Sequence, residues 1–222
     1  MPAEVFAVFD LDGTLIDSRR DLADSANEML AGYGSAPLGE DRIASMVGCG
    51  APTLVKRVLT AAGNAAPVEE ALARFLAAYD GRLTNWTRPY EGIPDLLDVL
   101  QADGIAMALL TNKPLEQSVM ILDALGLAEY FRWVVGGDGP WPRKPAPDGM
   151  QFLMKQAAAA PEETVLIGDS AIDLQTARNA GVRICLARYG FGFADLAMSD
   201  LRGDESLVDA PGEIPGVLHA RR

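Results

Sequence analysis

Asp10 and Asp12 stand two residues apart in Phe9-Asp10-Leu11-Asp12-Gly13, directly after the apolar run Val5–Phe9. On a strand, residues i and i+2 face the same way, so at a strand end both carboxylates can address one spot. Asp169 closes a second apolar run, Val165–Ile167, in Gly168-Asp169-Ser170. If it joins the pair, three carboxylates share a small space, and at roughly 4 Å each like-charged pair costs about 4 kcal/mol. Such a cluster needs a cation or held protons, and a few hard oxygen ligands suit Mg²⁺ with retained waters. Thr111-Asn112-Lys113 and Arg143-Lys144-Pro145 supply ammonium groups and short polar donors after other apolar runs. A metal, an ammonium and such donors around one carboxylate make a receptor for a phosphoryl group. The carboxylate aimed at phosphorus can be a nucleophile, giving an aspartyl-phosphate. A second carboxylate can protonate the leaving oxygen and then take a proton from water.

The rest of the composition narrows the chemistry further. The chain has 222 residues, 31 acidic and 19 basic, for a formal charge of −12, and one histidine, His219. Its length suggests one fold, with room for an inserted subdomain. His219 falls in a stretch expected to fray, so a Ser-His-Asp or Cys-His mechanism is disfavoured. A histidine zinc site fails on ligand count, and an acidic chain is a poor general binder of nucleic acid. Cys49 and Cys185 are far apart and are expected as free thiols in a reducing cytoplasm. Met1-Pro2-Ala3-Glu4 lacks the basic start of a signal peptide, and Ile105–Leu110 is too short to span a bilayer.

Catalytic groups this dispersed need a scaffold. Asp17 to about Arg88 carries apolar residues at helical spacing, as in Leu54, Val55, Val58, Leu59 and again in Leu72, Phe75, Leu76, Tyr79. No strand-like run interrupts it, which predicts about four helices. After Pro89 the texture alternates: strands are expected at Ile105–Leu110, Trp133–Val135, Val165–Ile167 and Val182–Leu186. Helices are expected between them, the one over Ile172–Ala180 capped by Gly181. This is the pattern of an α/β fold, a doubly wound parallel sheet with helices on both faces. The helical stretch cannot supply strands beside Val5–Phe9, so it reads as an insertion: a core of residues 1–17 and 88–222 and a helical cap of residues 18–87. Ligands of such sheets bind beyond the carboxyl ends of the strands, where these polar residues fall. The segment 195–222 is polar and marked by Gly and Pro, and yields no element.

Phe9-Asp10-Leu11-Asp12-Gly13-Thr14-Leu15, Thr111-Asn112, Lys144-Pro145 and Gly168-Asp169-Ser170-x-x-Asp173 resemble, in order and spacing, the four motifs of the haloacid dehalogenase superfamily. The resemblance spans nearly the whole chain, and the helical block looks like that superfamily's cap. Val47-Gly48-Cys49-Gly50-Ala51, Arg57 and Gly136-Gly137-Asp138 further resemble its bacterial phosphoglycolate phosphatases. What this implies is a Mg²⁺-dependent phosphomonoesterase acting on a small phosphorylated metabolite, with 2-phosphoglycolate first. By the same resemblance Asp10 is the nucleophile and Asp12 the acid/base. Mg²⁺ would be held by the Asp10 side chain, the Asp12 carbonyl and Asp169, with Asp173 holding metal-bound water. Thr111, Asn112 and Lys144 would bind phosphate, with Lys113 and Arg57 as further contacts. A monomer or homodimer is expected.

Plainer readings stand beside these. Ser170-x-x-Asp173 resembles a helix capping box, and Thr111-Asn112 could cap the helix after Pro114. Gly48-Cys49-Gly50 fits an inter-helix loop, Arg57 a solvated helix position, and Trp141 either packs or covers substrate. Other activities of the superfamily remain open: sugar-phosphate or pyrophosphate hydrolysis and phosphosugar mutase activity. From another class, a phospho-aspartate receiver module also uses Asp, Mg²⁺, Thr and Lys on a doubly wound sheet. It lacks a helical insertion, and its acidic pair precedes a separate acceptor strand.

Overall fold

The computed structural model describes residues 5–220; Met1–Glu4 and Arg221–Arg222, at the ends of the expected core, lie outside them. The first strand, β1 (Phe6–Phe9), is buried along its whole length, as a parallel strand covered on both faces must be. A two-residue strand β2 (Ile16–Asp17) leads into α1 (Arg19–Ala31), α2 (Glu40–Ala44), α3 (Ala51–Ala61) and α4 (Val68–Asp80). The chain returns through β3 (Arg88–Pro89), antiparallel to β2. It continues with α5 (Ile93–Ala102), β4 (Ala106–Leu110), α6 (Leu115–Ala124), β5 (Trp133–Val135), α7 (Asp148–Ala157) and β6 (Thr164–Gly168). Last come α8 (Ala171–Ala180), β7 (Arg183–Ala187), β8 (Ser206–Val208) and α9 (Ile214–His219).

Six strands form one parallel sheet in the order β5-β4-β1-β6-β7-β8. The chain runs outward from β1 through β4 to β5, then crosses to β6 on the other side of β1 and runs outward again. The strand order therefore reverses between β1 and β6, and their carboxyl ends open onto the crevice where such sheets take ligands. Alternation along the strands divides the core. Ala7, Phe9, Val165 and Ile167 pack toward α5, α6 and α9, whereas Phe6, Val8 and Leu166 pack toward α7 and α8.

The clasp of β2 with β3 and the C-terminal elements were not legible beforehand. Two residues are too few for a period, and β8 contains only Ser206-Leu207-Val208. The tail is corrected accordingly. His219 ends a helix whose Ile214 and Leu218 are buried, and its Nε2 lies 3.6 Å from Asp103 Oδ2. It does not line the cavity described below. Gly181 ends α8 in the left-handed conformation expected of a C′ cap. Among the described residues no helix is long and apolar enough to cross a membrane.

Candidate active site

Asp10 is the first residue past β1, and its N–H still bonds the Ile167 carbonyl at 2.8 Å, so the sheet itself fixes its position. The chain then turns at Gly13, whose φ of 88° an L side chain rarely adopts. A methyl group on Gly13 would overlap the Asp169 carboxylate, so glycine also lets this turn close onto β6. Asp169 follows β6, and its Oδ2 accepts from Gly192 N–H at 2.7 Å. Carboxylate oxygens of Asp10, Asp169 and Asp173 lie within 4.8 Å of one another, all on buried residues.

Lys144 is the counter-charge. Its buried Nζ lies 2.8 Å from Asp10 Oδ1 and 2.6 Å from Asp173 Oδ1. Burial works against that ammonium, but Asp10 and Asp173 outweigh it and hold the group above the ordinary lysine range. Asp10 is pushed up to about 6, mainly by burial and further by Asp173, against the pull of Lys144. Asp169 is held well above the usual carboxylate range, by burial first and then by Asp173 and Asp10. With all three carboxylates ionised, the one ammonium would leave a surplus of two negative charges, which a divalent cation would neutralise. The donor set is all oxygen, with acceptor capacity left on Asp10 and Asp169, and that suits Mg²⁺.

Asp173 is a strut in this arrangement. Its Oδ2 accepts from Ser170 N–H at 3.1 Å and Ser170 Oγ at 2.6 Å, and its Oδ1 takes Lys144. The capping-box reading therefore holds, and the same side chain braces Lys144.

Asp12 faces elsewhere. Its carboxylate accepts from Ser18 Oγ at 2.6 Å and from Lys113 Nζ at 3.0 and 2.9 Å. Only its carbonyl remains for the metal role first expected of it. Lys113 is buried with Nζ 4.7 Å from the centre of the Tyr79 ring, and Asp12 and Tyr79 keep it charged despite burial. It braces Asp12 and also lines the cleft.

Asn112 Nδ2 donates to Gly48 O at 2.8 Å and Lys144 O at 3.0 Å. Both amide hydrogens are thereby spent on joining three loops, so the side chain has none left for a phosphate. Thr111 Oγ1 accepts from Lys113 N–H at 3.2 Å, which leaves its own hydrogen to donate. Neither residue caps α6: Leu115 N–H, in its first turn, donates to Asp138 Oδ1 at 2.8 Å. Gly136 and Gly137 have a related cause. A methyl on Gly137 would overlap the Asn112 backbone, and one on Gly136 the backbone of Leu115. We expect Gly137→Ala to lower stability by about 1–3 kcal/mol through this overpacking, read as the shift in urea midpoint at constant slope.

Arg57 is exposed and bonds the Met46 carbonyl at 2.9 Å, with Cys49 Sγ at 3.5 Å. It braces the loop before α3 and does not line the cavity. Trp141 packs on Phe152, ring centres 4.2 Å apart. Cys49 and Cys185 are both free thiols.

Part of this cluster opens onto a cleft between the sheet and the helical block. Asp10, Asp12, Thr111, Asn112 and Lys113 form its polar floor, while Leu22, Leu54, Phe75 and Leu76 of the helical block form an apolar wall. Sequence reasoning missed Ser18, Tyr79, Gln117 and the Gly190-Phe191-Gly192 loop. A Gly-x-Gly run soon after a strand was the one available signal. Gly190 sits where any side chain would overlap Gly13 and Asp169.

Residues 7–187 match the family model of haloacid dehalogenase-like hydrolases. The chain is 40% identical over 189 residues to phosphoglycolate phosphatase 1 of Pseudomonas aeruginosa, covering 83% of this chain and 69% of that protein. To the phosphoglycolate phosphatase, plasmid, of Cupriavidus necator it is 36% identical over 220 residues, 97% of this chain and 93% of the other. A crystal structure described as a predicted phosphoglycolate phosphatase from Haemophilus somnus 129PT superposes with a TM-score of 0.90 at 27% identity, covering 98% and 99% of the two chains.

Proposed function

Because the chain belongs to the haloacid dehalogenase-like hydrolases, we propose that it is a phosphomonoester hydrolase in which Asp10 is the nucleophile. The observation that carries this reading is the site's floor: a buried Asp10 against Lys144, beside a second carboxylate held by Ser18 and Lys113. Asp10 attacks phosphorus, the bond to the leaving oxygen breaks, and Asp12 gives that oxygen a proton. Asp12 then takes a proton from the water that attacks the aspartyl-phosphate, which frees inorganic phosphate and restores Asp10. Lys144, with a third N–H donor beyond its two carboxylate contacts, and the Thr111 hydroxyl bind the transferring phosphoryl oxygens. Asn112 acts through the loops it joins. Mg²⁺ held by the carboxylates of Asp10 and Asp169 and the carbonyl of Asp12 would supply positive charge against the incoming phosphate.

The helical block 18–87 serves as a cap, its apolar wall excluding water from the floor. Membership in a hydrolase family, with this block between β2 and β3, leaves the receiver module unsupported. The names of the relatives make 2-phosphoglycolate the substrate we assign first. We place the enzyme in the cytoplasm, where its two free thiols persist. A kinetic panel tests the reading. We expect kcat/KM for 2-phosphoglycolate to exceed that of p-nitrophenyl phosphate and a dozen other phosphomonoesters. A flat profile rejects the substrate, and absence of turnover across the panel rejects the reaction.

A further inference from the structure

Tyr79 stands in the last turn of α4, in the helical block, and meets Lys113 of the core across the cleft that both line. It is buried and stacked on Phe75 one turn earlier, ring centres 5.8 Å apart and planes within 10°. Its hydroxyl makes no hydrogen bond, so the ring is what the lysine meets: Nζ lies 4.7 Å from the ring centre. An ammonium at that distance is attracted by the negative face of the ring, and more strongly where water is excluded. The lysine in turn grips Asp12. Asp12 Oδ1 accepts from Ser18 Oγ at 2.6 Å and from Lys113 Nζ at 3.0 Å, whereas Oδ2 accepts from Nζ at 2.9 Å. Oδ2 keeps the greater free acceptor capacity, so it is the oxygen with room to carry a proton. Ser18 alone would hold this carboxylate at one atom and leave it free to turn; Lys113 supplies the second anchor and fixes its plane.

We propose that Tyr79 is a positioning residue for the proton transfer: its ring keeps Lys113 on Asp12, and Lys113 keeps Asp12 Oδ2 aimed at the leaving oxygen. This deepens the reading of Asp12 as the acid and rests on it. Tyr79 touches neither substrate nor a reacting atom in this role. A lysine needs such a partner here because its stem is long and flexible and its charge is compact. Lys113 also lines the cleft, where a phosphate dianion would draw the ammonium away from Asp12. The stacked Phe75–Tyr79 pair opposes that movement.

The test reads proton donation through the leaving group. p-Nitrophenolate departs readily as an anion, whereas the more basic phenolate gains from a proton, so a misplaced acid slows phenyl phosphate more than p-nitrophenyl phosphate. The readout is the ratio of kcat/KM for the two esters, taken within one preparation, so that a smaller folded fraction cancels. In Tyr79→Leu the advantage of the nitrophenyl ester should widen about tenfold, a part of what a positioned acid contributes. Tyr79→Phe, which keeps the ring, should hold the ratio to within about twofold of the unmodified protein. Lys113→Met should widen the ratio as Tyr79→Leu does, and adding Tyr79→Leu to it should widen it no further, since the ring acts through the lysine. Equal losses on both esters in Tyr79→Leu overturn the proposal, as does a ratio in Tyr79→Phe as wide as in Tyr79→Leu. An unchanged ratio in Lys113→Met also overturns it, and that comparison stands even if Tyr79→Leu fails to fold. So does a double variant whose widening is the product of the two single ones. Asp12→Asn separates this inference from the reading beneath it. If Asp12→Asn leaves the ratio unchanged, Asp12 is not the acid and both fall. If Asp12→Asn widens it and Tyr79→Leu does not, the inference alone falls.

Discussion

Asp10→Asn is expected to lower phosphomonoester turnover by about four to six orders of magnitude, with the fold intact. The amide has nearly the shape of the carboxylate but cannot form the acyl-phosphate, so the loss falls on chemistry. Stability should not suffer. Asp10 sits among buried like charges, and burial with Asp173 already disfavours its ionised form. Removing that charge relieves the cluster, while Lys144 keeps its 2.6 Å contact with Asp173. We therefore expect the thermal midpoint in the absence of Mg²⁺ to hold or rise. Phosphate release and thermal unfolding on one preparation check both halves. Residual turnover within tenfold of the unmodified protein would remove Asp10 from its assigned role.

Chelation should be as severe for activity, and it carries a second signature in stability. An ion that binds only the folded chain, present at a hundred times its dissociation constant, adds about 2.7 kcal/mol. For a chain of this size that is roughly 5–10 °C in melting temperature. EDTA should abolish turnover and reverse that shift, and added Mg²⁺ should restore both. Asp169→Asn separates binding from chemistry, because Asp169 is no nucleophile. The variant should lose the Mg²⁺-induced shift, yet unfold no earlier than the unmodified protein without metal, since burial, Asp173 and Asp10 already press this carboxyl toward neutrality. Full activity in EDTA, or an undiminished shift in Asp169→Asn, would contradict the metal site.

Much of this site could be read from the chain because its charged residues mark strand ends. Asp10 and Asp169 each follow a short apolar run, and a parallel sheet gathers such ends on one rim. The pairing of side chains within the rim was not readable. Lys113 and Asp12 are 101 residues apart, and no periodicity says that this lysine pairs with that acid. Asn112 is similar: its residue type suits phosphate, yet its neighbours claim both amide hydrogens. Arg57 carries the right charge on a helix whose register turns it to the Met46 carbonyl. Elements of two or three residues, such as β2, β3 and β8, left no pattern because their existence depends on partners elsewhere in the chain.

The position of β1 in the middle of the sheet bears on how the protein is made. This strand leaves the ribosome ahead of both its neighbours. Its partner β4 begins at Ala106 and β6 at Thr164, 97 and 155 residues beyond Phe9 (106 − 9 and 164 − 9). At roughly 5–20 residues per second, the second flank of β1 is delivered about 8–30 s after the strand itself. Through that interval an entirely apolar strand keeps an open edge, the kind of surface that chaperones cover and that aggregates when they do not. The helices of residues 19–80 make mostly local contacts with one another and can settle while it waits. Slow synthesis should thus lengthen the time this edge stays open to aggregation.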